Sequence, residues 1–104
     1  MQELTLGRVK ISKNNPCAII AEVGDNHMRS VSHAKEMCQA AKEYGADFIK
    51  WQMHIPHEEM VKDEVIAVSK DVLAKWGSLW HFYEKHALPV EAHKEIKIYC
   101  DKIG

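Results

Sequence analysis

The hydrophobic pattern changes period twice between Ala18 and Gln52, and the rest of the chain is arranged around that stretch. Ala18-Ile19-Ile20-Ala21-Glu22-Val23 is a short, mostly apolar run bounded by Pro16 and Gly24, as expected of a buried parallel strand. Alternation sets Ala18, Ile20 and Glu22 on one face. From Val31 to Tyr44 the apolar positions are Val31, Ala34, Met37, Cys38, Ala41 and Tyr44, the three-and-four spacing of a helix that buries one stripe. Ser30 can cap its start and Gly45 can end it. Asp47 to Gln52 returns as a strand, with Phe48, Lys50 and Gln52 on one face and Ile49 and Trp51 on the other.

Two parallel strands joined by a helix have their carboxyl ends side by side, and in barrels and open α/β sheets ligands are held at that edge. Glu22, Lys50 and Gln52 all fall there. A carboxylate, an ammonium and an amide are costly to bury unless they pair or meet a polar ligand. Residue pattern alone leaves two readings open: a salt bridge that only closes the sheet, or a ligand site.

Flanking segments are simpler. Leu4 to Ile11 alternates around Gly7-Arg8, a small hairpin, and Ser12 to Pro16 is a turn leading into the first long strand. The loop Gly24-Asp25-Asn26-His27-Met28-Arg29-Ser30 must border whatever Glu22 faces. After Gln52 comes a long connection, Met53 to Gly77, in which Val65, Val68, Val72 and Trp76 have helical spacing. Its His54 and His57 would offer a metal pair, but Pro56 lies between them and no third ligand is near. They read instead as part of a solvated or substrate-side loop. Ser78 can cap a helix over Leu79 to Ala87, whose Leu79, Trp80, Phe82 and Tyr83 form an aromatic patch suited to core packing. Pro89 suits the first turn of a last helix with Ile96, Tyr99, Cys100 and Ile103 as its buried stripe.

Composition narrows the class. With 104 residues, 46% hydrophobic and 28% charged, the chain has the make-up of one soluble globular unit. A net charge of -1 gives no basic field for nucleic acid or an anionic membrane. Neither a signal peptide nor a membrane span is visible, so the cytoplasm is the expected location. Cys17, Cys38 and Cys100 are odd in number and far apart, and are expected to be reduced thiols packed on buried elements.

Ala21-Glu22-Val23-Gly24 followed by Asn26-His27, then Ala34-Lys35-Glu36-Met37, Gly45-Ala46-Asp47 and Lys50-Trp51-Gln52 resemble the amino-terminal signature of the N-acetylneuraminate (sialic acid) synthase family. That pattern runs roughly AEIGxNHxGS, AKxxIxxAxxAGAD, VKFQ. A weaker likeness continues from Leu79 to Gly104. The resemblance implies an α/β fold, the amino-terminal portion of a TIM-type (β/α)8 barrel: about two β/α units plus a leading hairpin. Residues 1–16 would be the hairpin and lead-in, plugging the amino-terminal end of the barrel. Residues 17–52 would be the first β/α unit and second strand, and 53–104 the long loop and second-unit helices.

The implied activity condenses phosphoenolpyruvate with an N-acylated hexosamine, N-acetylmannosamine in the sialic acid case. By matching motif positions, Lys50 would hold phosphoenolpyruvate and Gln52 the sugar or the enolate end. Glu22 would orient substrate or act as acid/base, and Asn26 and His27 would shape the same wall. Where the family usually has asparagine and glycine, this chain has Met28 and Arg29. Arginine discourages the positive φ that glycine permits, and Arg29 could instead offer a guanidinium to a carboxylate or phosphate. The family's divalent metal, manganese or magnesium, is bound by histidines from later strands, so no metal ligand is expected in this chain. A homodimer is implied for the whole enzyme, and no turnover is expected from residues 1–104 alone. A sibling synthase acting on another acylated sugar (legionaminic, pseudaminic or spore-coat polysaccharide type) and a non-catalytic binding or assembly module are the competing readings.

Overall fold

The computed structural model describes residues 2–62 and 69–104. A leading hairpin pairs β1 (Leu4–Leu6) with β2 (Val9–Ile11) antiparallel, in the register Leu4 with Ile11 and Leu6 with Val9, across the Gly7-Arg8 turn. Gly7 takes a φ of 58°, which the turn requires and a side chain would resist. Next come β3 (Ile20–Gly24), α1 (Val31–Glu43) and β4 (Phe48–Trp51), with β3 and β4 parallel. The remainder is helical: α2 (Pro56–Glu59), α3 (Lys70–Trp76), α4 (Leu79–His86) and α5 (Val90–Ile103).

Capping residues define α1. Ser30 is extended at φ -122°, and its hydroxyl accepts from the His33 N–H at 3.2 Å. At the other end Gly45 is left-handed at φ 88°. Its N–H donates to Lys42 O and that of Ala46 to Ala41 O, the double closure that satisfies carbonyls left open at a helix end. Asp47 then anchors the return strand. Its carboxylate accepts from the Ile19 N–H at 2.8 Å, while the Asp47 and Phe48 N–H groups donate to Ile19 O. This clasp sets the register, Ile20 with Phe48 and Glu22 with Lys50.

The core lies between helices. Ala34 and Cys38 of α1 meet Ala92 and Ile96 of α5, with Leu88 closing one end and Ile49 and Trp51 of β4 beneath. Small residues let the two helices approach, and Ile96, 2% exposed, fills the space between them. Cys38 is buried and its sulfur lies 3.4 Å from that of Cys100. Burial, and then the contact with Cys100, pushes the Cys38 thiol up to about 12. Such a thiol is inert packing, as the pattern predicts. A second, smaller cluster joins α3 to α4, where Phe82 stacks on His86 at 4.3 Å and Trp76 meets the same ring edge-on at 4.7 Å. No described helix is long and apolar enough to cross a membrane.

Several expectations are corrected. The strand expected from Ala18 starts at Ile20, so Cys17 sits in the exposed lead-in and not on a buried element. Ile19 and Ile20 are more than half exposed: Ile19 precedes the strand, and Ile20 lies with Glu22 on the face that α1 and α5 leave open. Tyr44, placed on the buried stripe of α1, is 92% exposed, since the helix has already ended at its cap. The spacing of Val65 and Val68 concerns positions outside the described residues. The hairpin meets the end from which β4 starts, sharing a cleft of about 510 Å³ with Ala46, Asp47 and the last turn of α5.

Ile96 and Ile98 offer an internal comparison, because they lie two residues apart on α5 but are 2% and 68% exposed. Ile96→Ala is expected to cost about 2–5 kcal/mol and Ile98→Ala less than about 0.5 kcal/mol. Equilibrium denaturation of both variants measures the difference.

Candidate functional site

Glu22 and Lys50 are register partners near the carboxyl ends of β3 and β4, on the face opposite α1 and α5. Lys50 Nζ lies 3.0 Å from Glu22 Oε2, while Glu22 Oε1 accepts from the Gly24 N–H at 2.9 Å. Both carboxylate oxygens therefore have donors. The Lys50 hydrogen bond first, helped by Gly24, holds the Glu22 carboxyl below the usual carboxylate range against a smaller opposing effect of burial. The pair is solvent-facing, at 46% and 63% side-chain exposure, where ion pairs contribute little to stability. That weakens the reading of a bridge that merely closes the sheet.

A bulge brings in the third residue. Register shifts between Glu22 and Gly24, so Gly24 instead of Val23 pairs with Trp51, and the Gln52 N–H donates to Gly24 O at 3.1 Å. Gly24 has φ 56°, and a Cβ there would stand 3.7 Å from the Gln52 amide and 3.8 Å from Glu22 Oε1. Its missing side chain leaves an open point flanked by a carboxylate and an amide, with the Lys50 ammonium on the far side of Glu22. Glu22, Lys50 and Gln52 are thus brought together as expected, although β4 ends at Trp51 and Gln52 is held there by the bulge and not by strand alternation.

The next loop behaves differently. Asn26 is exposed and its N–H closes a turn onto Val23 O. His27, expected on the same wall, is 1% exposed and buried on the helical side, its ring 6.0 Å from Trp51 and 6.3 Å from His93. Its Nδ1 accepts from the Arg29 N–H at 2.9 Å, which puts the ring proton on Nε2, facing Asp25 Oδ1 at 3.9 Å. Met28 and Arg29 take φ values of 52° and 55°, so the left-handed backbone that glycine would ease is adopted by two side-chain-bearing residues. Arg29 donates from its guanidinium to Lys85 O at the end of α4. That contact ties the loop to α4 through one guanidinium nitrogen.

The chain matches the NeuB family over residues 37–104. It belongs to that family. Relatives extend the likeness across Glu22: the chain is 34% identical to N-acetylneuraminate-9-phosphate synthase of Mus musculus, with 98% of this chain and 28% of that protein covered. It is 33% identical to pseudaminic acid synthase of Helicobacter pylori over 78% of this chain and 24% of the relative. The crystal structure of spore coat polysaccharide biosynthesis protein SpsE from Bacillus subtilis superposes with a TM-score of 0.66 at 28% identity, covering 97% of this chain and 25% of that one. This NeuB-family chain spans about a quarter of the length of these relatives.

Sequence reasoning missed Asp25, Tyr83 and His93. Asp25 Oδ2 lies 3.2 Å from His54 Nε2, and Asp25 Oδ1, His27 Nε2 and His93 Nε2 are buried without hydrogen-bond partners among the described residues. Burial, then the nearby Asp25 carboxylate, pushes the Tyr83 phenol up. The only signal available beforehand was an unusual density of histidines, which spacing could not assemble because His54 and His93 stand 39 positions apart.

Two pH effects follow from these shifts. Burial lowers both His27 and His93 below the ordinary histidine value. As the pH falls, the unfolded chain therefore takes up protons before the folded one. Stability is fully present above about 6.5 and declines on acidification below it. A denaturant midpoint that stays flat from pH 8 down to pH 5, at about constant ionic strength, would refute this. For Glu22 the lowered value means a contribution present above the usual carboxylate range and lost as the pH falls through the folded value. Lys50→Met is expected to raise the Glu22 carboxyl, read from its side-chain carbon shift on titration.

Proposed function

We propose that this NeuB-family chain supplies two strands of a (β/α)8 barrel whose carboxyl-end rim condenses phosphoenolpyruvate with an N-acylated hexosamine to give a nonulosonic acid. The supporting observation is the gathering of Glu22, Lys50 and Gln52 around the side-chain-free point at Gly24. In the reaction, carbon 3 of phosphoenolpyruvate attacks the open-chain sugar aldehyde, positive charge develops at carbon 2, water adds there and phosphate leaves. An ammonium to hold the anionic reactant and a carboxylate and amide to orient hydroxyls and move protons are what such a rim needs.

Lys50 is the cation for phosphoenolpyruvate. In the free chain it is neutralised by Glu22, so binding exchanges one anion for another at its ammonium. Because the Lys50 hydrogen bond is the first cause of Glu22's lowered value, that exchange raises the proton affinity of Glu22. Substrate entry would thereby turn a fixed carboxylate into an acid/base near the reacting carbons. Gln52 contacts the sugar or the enolate end, and exposed Asn26 borders the same opening.

Manganese or magnesium, as the resemblance implies, would polarise the aldehyde. Among the described residues no three His, Cys, Asp or Glu side chains gather as metal ligands, so this segment does not fit the ion and no step is derived through it. The sugar is read as a class, with N-acetylmannosamine and the substrates of the sibling synthases as its members.

The test is phosphate release from phosphoenolpyruvate in the presence of the amino sugar, using the protein that carries this segment within a whole barrel. Lys50→Ala is expected to reduce release by at least about two orders of magnitude. Unchanged turnover would remove Lys50 from the site, whereas no phosphate release from the unsubstituted protein would favour a non-catalytic binding or assembly module. Residues 1–104 alone are expected to show no turnover, and measurable synthase activity from them would overturn that expectation.

A further inference from the structure

The loop leaving β4 folds back at His54, and its imidazole is held from several sides. Nδ1 lies 2.9 Å from Glu59 Oε1 on α2, and Nε2 lies 3.2 Å from Asp25 Oδ2 in the loop after β3. The ring stacks on Tyr83 of α4 with centroids 3.7 Å apart and planes inclined by 24°. Nε2 also lies 3.4 Å from Oε1 of Gln52, the amide that flanks Gly24. One ring, 17% exposed, therefore ties α2, α4 and the loop after β3 to a rim residue.

The chemistry of the contact fixes the direction of the amide. An ionised carboxylate only accepts hydrogen bonds, so both ring nitrogens, Nδ1 facing Glu59 and Nε2 facing Asp25, are read as N–H donors. The Nε2 N–H, shared with Asp25, meets the carbonyl oxygen of Gln52, which leaves the Gln52 NH2 on the side of Gly24, its nitrogen 3.7 Å from the point a Gly24 Cβ would occupy. With the amide reversed, two N–H groups would oppose each other.

We propose that His54 is a positioning residue for Gln52: supported by Asp25, Glu59 and Tyr83, it holds the amide so that Gln52 presents its NH2 to an acceptor oxygen bound beside Glu22 and Lys50. The ligand group addressed is a hydroxyl, carbonyl or carboxylate oxygen. The role in turnover rests on the functional reading above, whereas the orientation of the amide does not.

His54→Phe separates the two parts, because it keeps an aromatic ring for Tyr83 and removes both nitrogens. In the wild-type protein the two Gln52 side-chain N–H signals are expected at distinct positions in 15N–1H spectra. His54→Phe should bring them to the values of a freely exposed glutamine, with the backbone signals of β3 and β4 unmoved. In the protein carrying a whole barrel, the same variant should raise the KM for the amino sugar about tenfold and leave that for phosphoenolpyruvate unchanged. The double variant His54→Phe with Gln52→Ala should be no worse than Gln52→Ala alone, as when one residue acts only through the other. Gln52 signals that do not move in His54→Phe, or losses that add in the double variant, would overturn the positioning role. If Gln52→Ala alone leaves turnover unchanged, the functional reading of the rim fails, and the amide signals still decide whether His54 orients it.

Discussion

The parallel pairing of β3 with β4 is the constraint on which the rest of the structure depends. Asp47 clasps the backbone on both sides of Ile19, and once that contact is made the register places Glu22 opposite Lys50. A shift of one residue would turn Lys50 into the helical core and Ile49 out to water, exchanging an apolar contact for a buried ammonium. The α1–α5 core enforces the same choice from the other face, since only Ile49 and Trp51 can lie beneath Ala34, Cys38, Ala92 and Ile96.

A local irregularity then converts a regular pair of strands into a site. The bulge at Val23, with Gly24 at positive φ, shifts the pairing by one residue, so that Gly24 meets Trp51, and folds the Glu22 carboxylate back onto the Gly24 N–H. Gln52 follows because its own N–H is captured by Gly24 O. Bulges recur where a side chain must be re-aimed, and here one glycine both permits the turn and leaves the room beside it.

Behind the rim lies a layer of titratable groups that is more buried than the rim itself. His27 is closed off by Trp51 and His93, while Glu22 and Lys50 face water. Asp25 stands between, one oxygen turned to His54 and the other to His27. Protonation events in this layer act on stability and loop geometry, and those at Glu22 act at the opening. Arg29 belongs with the inner layer in function, because its guanidinium secures the loop to α4.

What the sequence determined by itself was everything encoded at short range. The 2-to-3.6 change of period gave the strand–helix–strand unit, Ser30 and Gly45 marked the ends of its helix, and the alternation of Glu22, Lys50 and Gln52 placed them on one edge. The spacing of the motif blocks was enough for the family. Only the tertiary structure decided that His27 is buried, that Arg29 turns to Lys85, and that Asp25, His54, Glu59 and Tyr83 meet. Apart from the nearby pair His54 and Glu59, those contacts join positions tens of residues apart, and which side of a loop a residue takes is settled by the packing of Trp51 and α5 against it. Strand exposure escaped the pattern for a related reason: an apolar run records what a strand can bury, and which face is covered depends on where the helices lie.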